Sequence, residues 1–156
     1  MTVRIYGKSN TKVDTNVIRL AGKYYLERLL GKKSKKVNLV IKIVPKSDDW
    51  GIFFFPTGRI KSYEIELNGK MPKKKILETL AHECVHLKQW HNREMRDHKK
   101  DKVRWMGKLV RWIEPNFDNF DDYFDQPWEI EANGRIPGLY AGFARMMVQN
   151  GHGWRD

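Results

Sequence analysis

The chain of 156 residues is long enough for one domain with a single core, and its 40% hydrophobic and 12% aromatic content excludes a disordered polypeptide. No stretch nears the roughly 18 apolar residues of a membrane span, and MTVRIYGKSN lacks an apolar signal core, so a cytoplasmic protein is expected (host cytoplasm if the source is viral). The net charge of +11 is unevenly spread. Trp112 to Gly134 holds no Lys or Arg but seven acids, which leaves a surplus of 18 positive charges elsewhere. A field of that sign attracts nucleic acid, anionic surfaces or acidic proteins. Cys84 is the one cysteine, so an internal disulfide is excluded.

In chain order, Thr2 to Tyr6 reads as a short strand, and Asp14 or Thr15 can cap a helix that runs to about Leu30 and stops at Gly31. Val37 to Val44 is β-branched and alternating, hence a strand ending at Pro45. Gly51 to Phe55 and Ile60 to Leu67 read as two further strands, with Tyr63, Ile65 and Leu67 on the buried face of the second. Pro72 suits the first turn of a helix that reaches about Asn92, with Ile76, Leu77, Leu80, Ala81, Cys84, Val85 and Leu87 on its apolar side. A short hairpin or strand is expected near Val103 to Val110. A last helix should run from Pro127 to Val148, with a break at Pro137-Gly138. Strands early and helices late predict one α+β domain over residues 1–156, with a small mixed sheet of three or four strands.

Residues 82 to 86 read His-Glu-Cys-Val-His, in the middle of the best-defined helix. Histidines at i and i+4 project from nearly one face, one turn apart, so both imidazoles can reach one metal. Glu83, beside the first of them, can then take a proton from the metal's water. Zinc suits this set, because it takes nitrogen and oxygen ligands and keeps a position open. Cys84 lies about 200° around the helix from His82 and reads as core. For a third ligand, position 92 is Asn where one arrangement has histidine, and His98 is an alternative. The acidic pair Glu129 and Glu131 is the stronger source, and helical geometry lets only one of the two face the metal.

The segments ETLAHECVHLKQW, RWMGK and PWEIEANG resemble small phage-type zincin metallopeptidases, loosely called SprT-like. The arrangement is also similar to gluzincins and to the ImmA/IrrE group, whose later helix carries a similar Glu-Ala-Asn. The resemblance covers roughly Ser62 to Phe143. It implies a zincin-like fold with a metal helix, Zn²⁺ bound by His82 and His86, and Glu83 as general base. It also makes Glu131, within Glu-Ala-Asn, the third ligand, with Glu129 as the alternative. Two departures stand out: Arg135 occupies the place of the acid that follows the ligand glutamate in thermolysin-like enzymes, and Lys99 follows His98 where SprT proteins have glycine.

The expected activity is peptide hydrolysis, with the substrate added as an extended strand to the edge formed by Tyr63 to Leu67. Tyr123, Arg135, Tyr140 and His152 are candidates for holding the oxyanion. A DNA-associated protease or nucleic-acid-binding protein, using the basic surface, is one alternative. A non-catalytic, zinc-stabilised interaction domain is another.

Overall fold

Alternation along the second strand decides which side of the sheet is covered. In the computed structural model, which describes residues 1–45 and 47–155, β2 (Asn38–Val44) buries Leu39, Ile41 and Ile43 and leaves Asn38 and Lys42 exposed. It pairs in parallel with β1 (Thr2–Tyr6) on one side and with β4 (Tyr63–Asn68) on the other. In β4, Tyr63, Ile65 and Leu67 are buried as expected, while Glu64 turns to the opposite face and meets Lys42 at 2.9 Å. The fourth strand, β3 (Gly51–Phe54), runs antiparallel to β4 and closes the order β1-β2-β4-β3. The strand expected to receive substrate, β4, is therefore internal, and β3 is the edge.

Two helices cover the apolar face. Helix α1 (Thr15–Leu30) starts where the Asp14 side chain accepts from the Asn16 N–H at 2.8 Å, and ends at Gly31, whose φ of 54° favours glycine. It buries Ile18, Ala21, Tyr25 and Leu26. Helix α2 (Lys73–His91) begins directly after Pro72, one residue later than a proline in the first turn would imply, and carries the expected apolar side into the core.

Beyond α2 the chain forms a second, antiparallel sheet of β5 (Met95–Lys99), β6 (Lys102–Trp105) and β7 (Lys108–Arg111). The expected hairpin is the β6–β7 pair. Met106 and Gly107, both at positive φ, form its two-residue turn, and β5 is an added strand that its charge had concealed. After the short helix α3 (Phe120–Phe124), α4 spans Pro127–Gln149 without the expected break at Pro137. Buried Trp128 and Ala132 on one side of the proline, with Leu139, Phe143 and Met147 on the other, hold both halves to the core.

Phe143 joins α4 to α1, with ring centroids 5.9 Å from both Tyr24 and Tyr25. Phe143→Ala should lower unfolding free energy by about 3–5 kcal/mol in urea titration. A loss under about 1 kcal/mol would show that this packing is not made.

Candidate metal centre

Helix α2 lies against both α4 and β3, and its His82 and His86 face the gap between them. Their Nε2 atoms are 3.0 Å apart. Glu129, 2% exposed in the first turn of α4, sends Oε2 to 3.2 Å from His82 Nε2 and Oε1 to 3.1 Å from His86 Nε2. One ligand atom from each residue falls within 4.8 Å of the others, a group that could hold a metal ion.

Glu131, the glutamate that the resemblance implied, is elsewhere. Its Oε2 accepts from Lys88 at 2.7 Å and lies 3.0 Å from the Arg135 guanidinium, and its Oε1 accepts from Gln89 at 2.9 Å. The correction follows from helical phase. Glu129, Ala132, Asn133 and Ile136 keep the i, i+3, i+4, i+7 spacing of one face, and that face carries fully buried Ala132 toward α2. Glu131 is one residue, about 100°, away from Ala132. Trp128, stacked on Trp112 at 5.5 Å with rings 4° from parallel, fixes this rotation of α4.

The outer nitrogens of both imidazoles are held by amides. Gln89, fully buried, donates both Nε2 protons, to the Trp128 carbonyl at 3.0 Å and to Glu131. The atom it presents to His86 Nδ1, at 2.9 Å, is therefore its carbonyl oxygen, so Nδ1 must donate and Nε2 keeps its lone pair for a metal. Asn133 Oδ1 faces His82 Nδ1 at 3.0 Å in the same way. Neither amide was identified from the sequence. The signal was there in spacing: Gln89 stands three residues after His86, and Asn133 four after Glu129.

Two imidazole nitrogens and a buried carboxylate converging in a poorly solvated place demand positive charge. Burial alone would raise the Glu129 pKa, yet hydrogen bonding and charge from both histidines hold it far below the usual carboxylate range. Burial works against a charged His86, but Glu129, Glu83 and Gln89 outweigh it and lift its pKa to about 9. A proton on His86 thus serves where no metal is bound, and the donor set fits zinc or a similar divalent ion.

Glu83 is 7% exposed at the edge of this group. Burial raises its pKa, against the charges of His82 and His86 and a hydrogen bond from the Phe53 N–H of β3. Gly51 makes the approach of β3 possible, since a Cβ there would stand 2.5 Å from Thr79 Cγ2 and 3.3 Å from Glu83 Cγ. Of the oxyanion candidates, Tyr123 borders the site and faces Glu129; burial and that carboxylate keep its phenol protonated. Arg135 is engaged by Glu131, while Tyr140 and His152 border neither half of the cleft. His98 lies in β5, outside the metal group, with its ring stacked on Phe55 at 4.4 Å and edge-on to Trp112. Cys84 is fully buried in the core, as expected.

Glu129→Ala should weaken zinc binding by more than about 100-fold, the upper end for partners acting through another ligand, and Glu131→Ala by less. The reverse ranking in a zinc titration would move the ligand. Because His86 carries a proton up to about pH 9 when metal-free, zinc must displace it. Apparent affinity should then rise about tenfold per pH unit toward pH 9 and level off above it. Calorimetry in buffers of different ionisation enthalpy should find about one proton released.

No family model matches the chain, and no curated protein or solved structure matches it.

Proposed function

We propose that this protein is a zinc-dependent peptidase. The observation that carries the reading is the placement of Glu83: a buried carboxylate of raised pKa, beside the His82, His86 and Glu129 group, on the floor of an open cleft along an edge strand. When bound, zinc would polarise the scissile carbonyl and lower the pKa of water to roughly 7.

The protein's own groups supply the rest. The raised pKa makes Glu83 a better proton acceptor, and the Phe53 N–H keeps its carboxylate oriented. Glu83 takes the proton of the attacking water and passes it to the leaving amine. Tyr123, held protonated, offers a hydroxyl donor to the developing oxyanion. Asn68 donates to the Trp50 carbonyl at 2.9 Å, so the alternation of an antiparallel pair turns the main chain of Gly51 and Phe53 outward from β3, where the Phe53 N–H is taken by Glu83 and the Gly51 groups and the Phe53 carbonyl are left for a substrate. An extended polypeptide can add to that edge by main-chain hydrogen bonds. Among the described residues, no helix is long and apolar enough to cross a membrane.

A second reading, a protease held on nucleic acid, draws on one observation. Lys99, Lys102 and Arg111 stand in one cross-strand row of the second sheet, where like charges repel and a polyanion would relieve them.

Glu83→Gln should keep stoichiometric zinc and lose peptide cleavage by about 10²–10⁴-fold, since the amide preserves shape but cannot accept a proton. Undiminished cleavage would remove Glu83 from the mechanism.

A further inference from the structure

The peptidase reading uses Tyr123 and Glu129 of the acidic segment and gives no role to the segment's other acids. The fold places that segment as a wall of the cleft. A cavity of about 450 Å³ and another of about 370 Å³ share Gly51, His82, Glu83, Tyr123 and Glu129, so they are the two halves of one trough running past the metal centre. Among the described residues, the one Lys or Arg bordering either half is Lys75, and its ammonium sits 3.4 Å over the Trp50 ring. Asp48 and Glu78 border the larger half, Glu114, from the acidic segment, the smaller, and Asp49 both. None of these four belongs to the metal group. The trough thus reverses the sign of the molecule around it, and low-dielectric walls focus such a field on whatever enters.

The larger half has a second character. Trp50 is 61% exposed, Phe120 59% and Phe124 39%, and the last two pack ring to ring at 4.7 Å. These rings reach the trough from different elements, Trp50 beside β3 and the phenylalanines on α3. Large apolar side chains left in water at a site rim mark a recognition surface.

Resting on the peptidase reading, we propose that the trough selects an extended polypeptide carrying basic side chains together with a bulky apolar one. The apolar side chain enters between Trp50 and the Phe120–Phe124 pair. Neighbouring Lys or Arg side chains reach Asp48 and Glu78 in the larger half, Glu114 in the smaller, and Asp49, which borders both. An anionic ligand would meet four carboxylates that make no ion pair among the described residues, and a purely apolar one would leave them unused.

The test separates ligand class from chemistry. Zinc-loaded Glu83→Gln protein is titrated with three labelled short peptides that share one Phe but carry Lys/Arg, Ser/Gln or Asp/Glu flanks. The basic peptide should bind tighter than the acidic one by on the order of tenfold or more at low salt, with the gap closing at high salt. Adding Asp48→Lys, Asp49→Lys and Glu78→Lys, on a fold verified by circular dichroism, should abolish or invert the order. Phe120→Ser with Phe124→Ser should weaken all three peptides. Equal affinities, or a preference that survives charge reversal, overturn the proposal. Cleavage of the same peptides by the wild-type protein reads the other question. Preference without cleavage leaves the ligand class standing and sinks the peptidase; cleavage without preference does the opposite.

Discussion

The Glu129 carboxylate, almost wholly removed from water, is the constraint around which the rest of the site is arranged. A buried carboxylate is costly unless positive charge lies beside it, and two imidazoles aimed at the same point supply charge only when protonated or metallated. Everything nearby serves to hold the three donors in that relation. Trp128, stacked on Trp112, sets the rotation of α4, and Ala132 lets the helix lie close to α2. Gln89 and Asn133 occupy the outer imidazole nitrogens, so the inner ones remain available.

The two glutamates of Trp-Glu-Ile-Glu divide the work. Glu129 completes the donor group. Glu131, on another flank of the same helix, neutralises buried Lys88 and accepts one Gln89 proton. The Gln89 amide cannot turn over without setting its oxygen against the Trp128 carbonyl and the Glu131 carboxylate. Through Gln89 the second glutamate therefore helps fix which His86 nitrogen is protonated, and it does so from outside the donor group.

The α+β class, the four strands of the main sheet and the helix bearing His82, Glu83 and His86 could be read from the sequence, because their hydrophobic periods are strong and their ends are marked by Asp14, Gly31, Pro45 and Pro72. The second sheet was only half legible. Strands such as MRDHK and KVRW are short and dominated by charge, so alternation is hard to see, and only Val103 and Met95 are fully buried. The break expected at Pro137 failed because a proline removes one hydrogen bond, whereas core side chains on both sides keep the helix continuous. The choice between Glu129 and Glu131 turned on phase. A small neighbour, Ala132, pointed to the adjacent glutamate, although the residue three positions earlier shares its face. The internal position of β4 depended on strand order, which no local pattern encodes.

The edge that would receive a substrate also exposes the protein to its own kind. β3 and the residue after it read Gly-Ile-Phe-Phe-Phe, an apolar, aromatic run with one side unpaired by the sheet. Such a segment is a template for strand-to-strand self-association. Its defences are local: four residues of strand, Pro56 immediately beyond, Asp48 and Asp49 just before, and a Phe53 N–H turned to Glu83. The negative charge at the cleft mouth thus has a colloidal role as well as a selective one, because two copies offering this edge to each other bring like charges together.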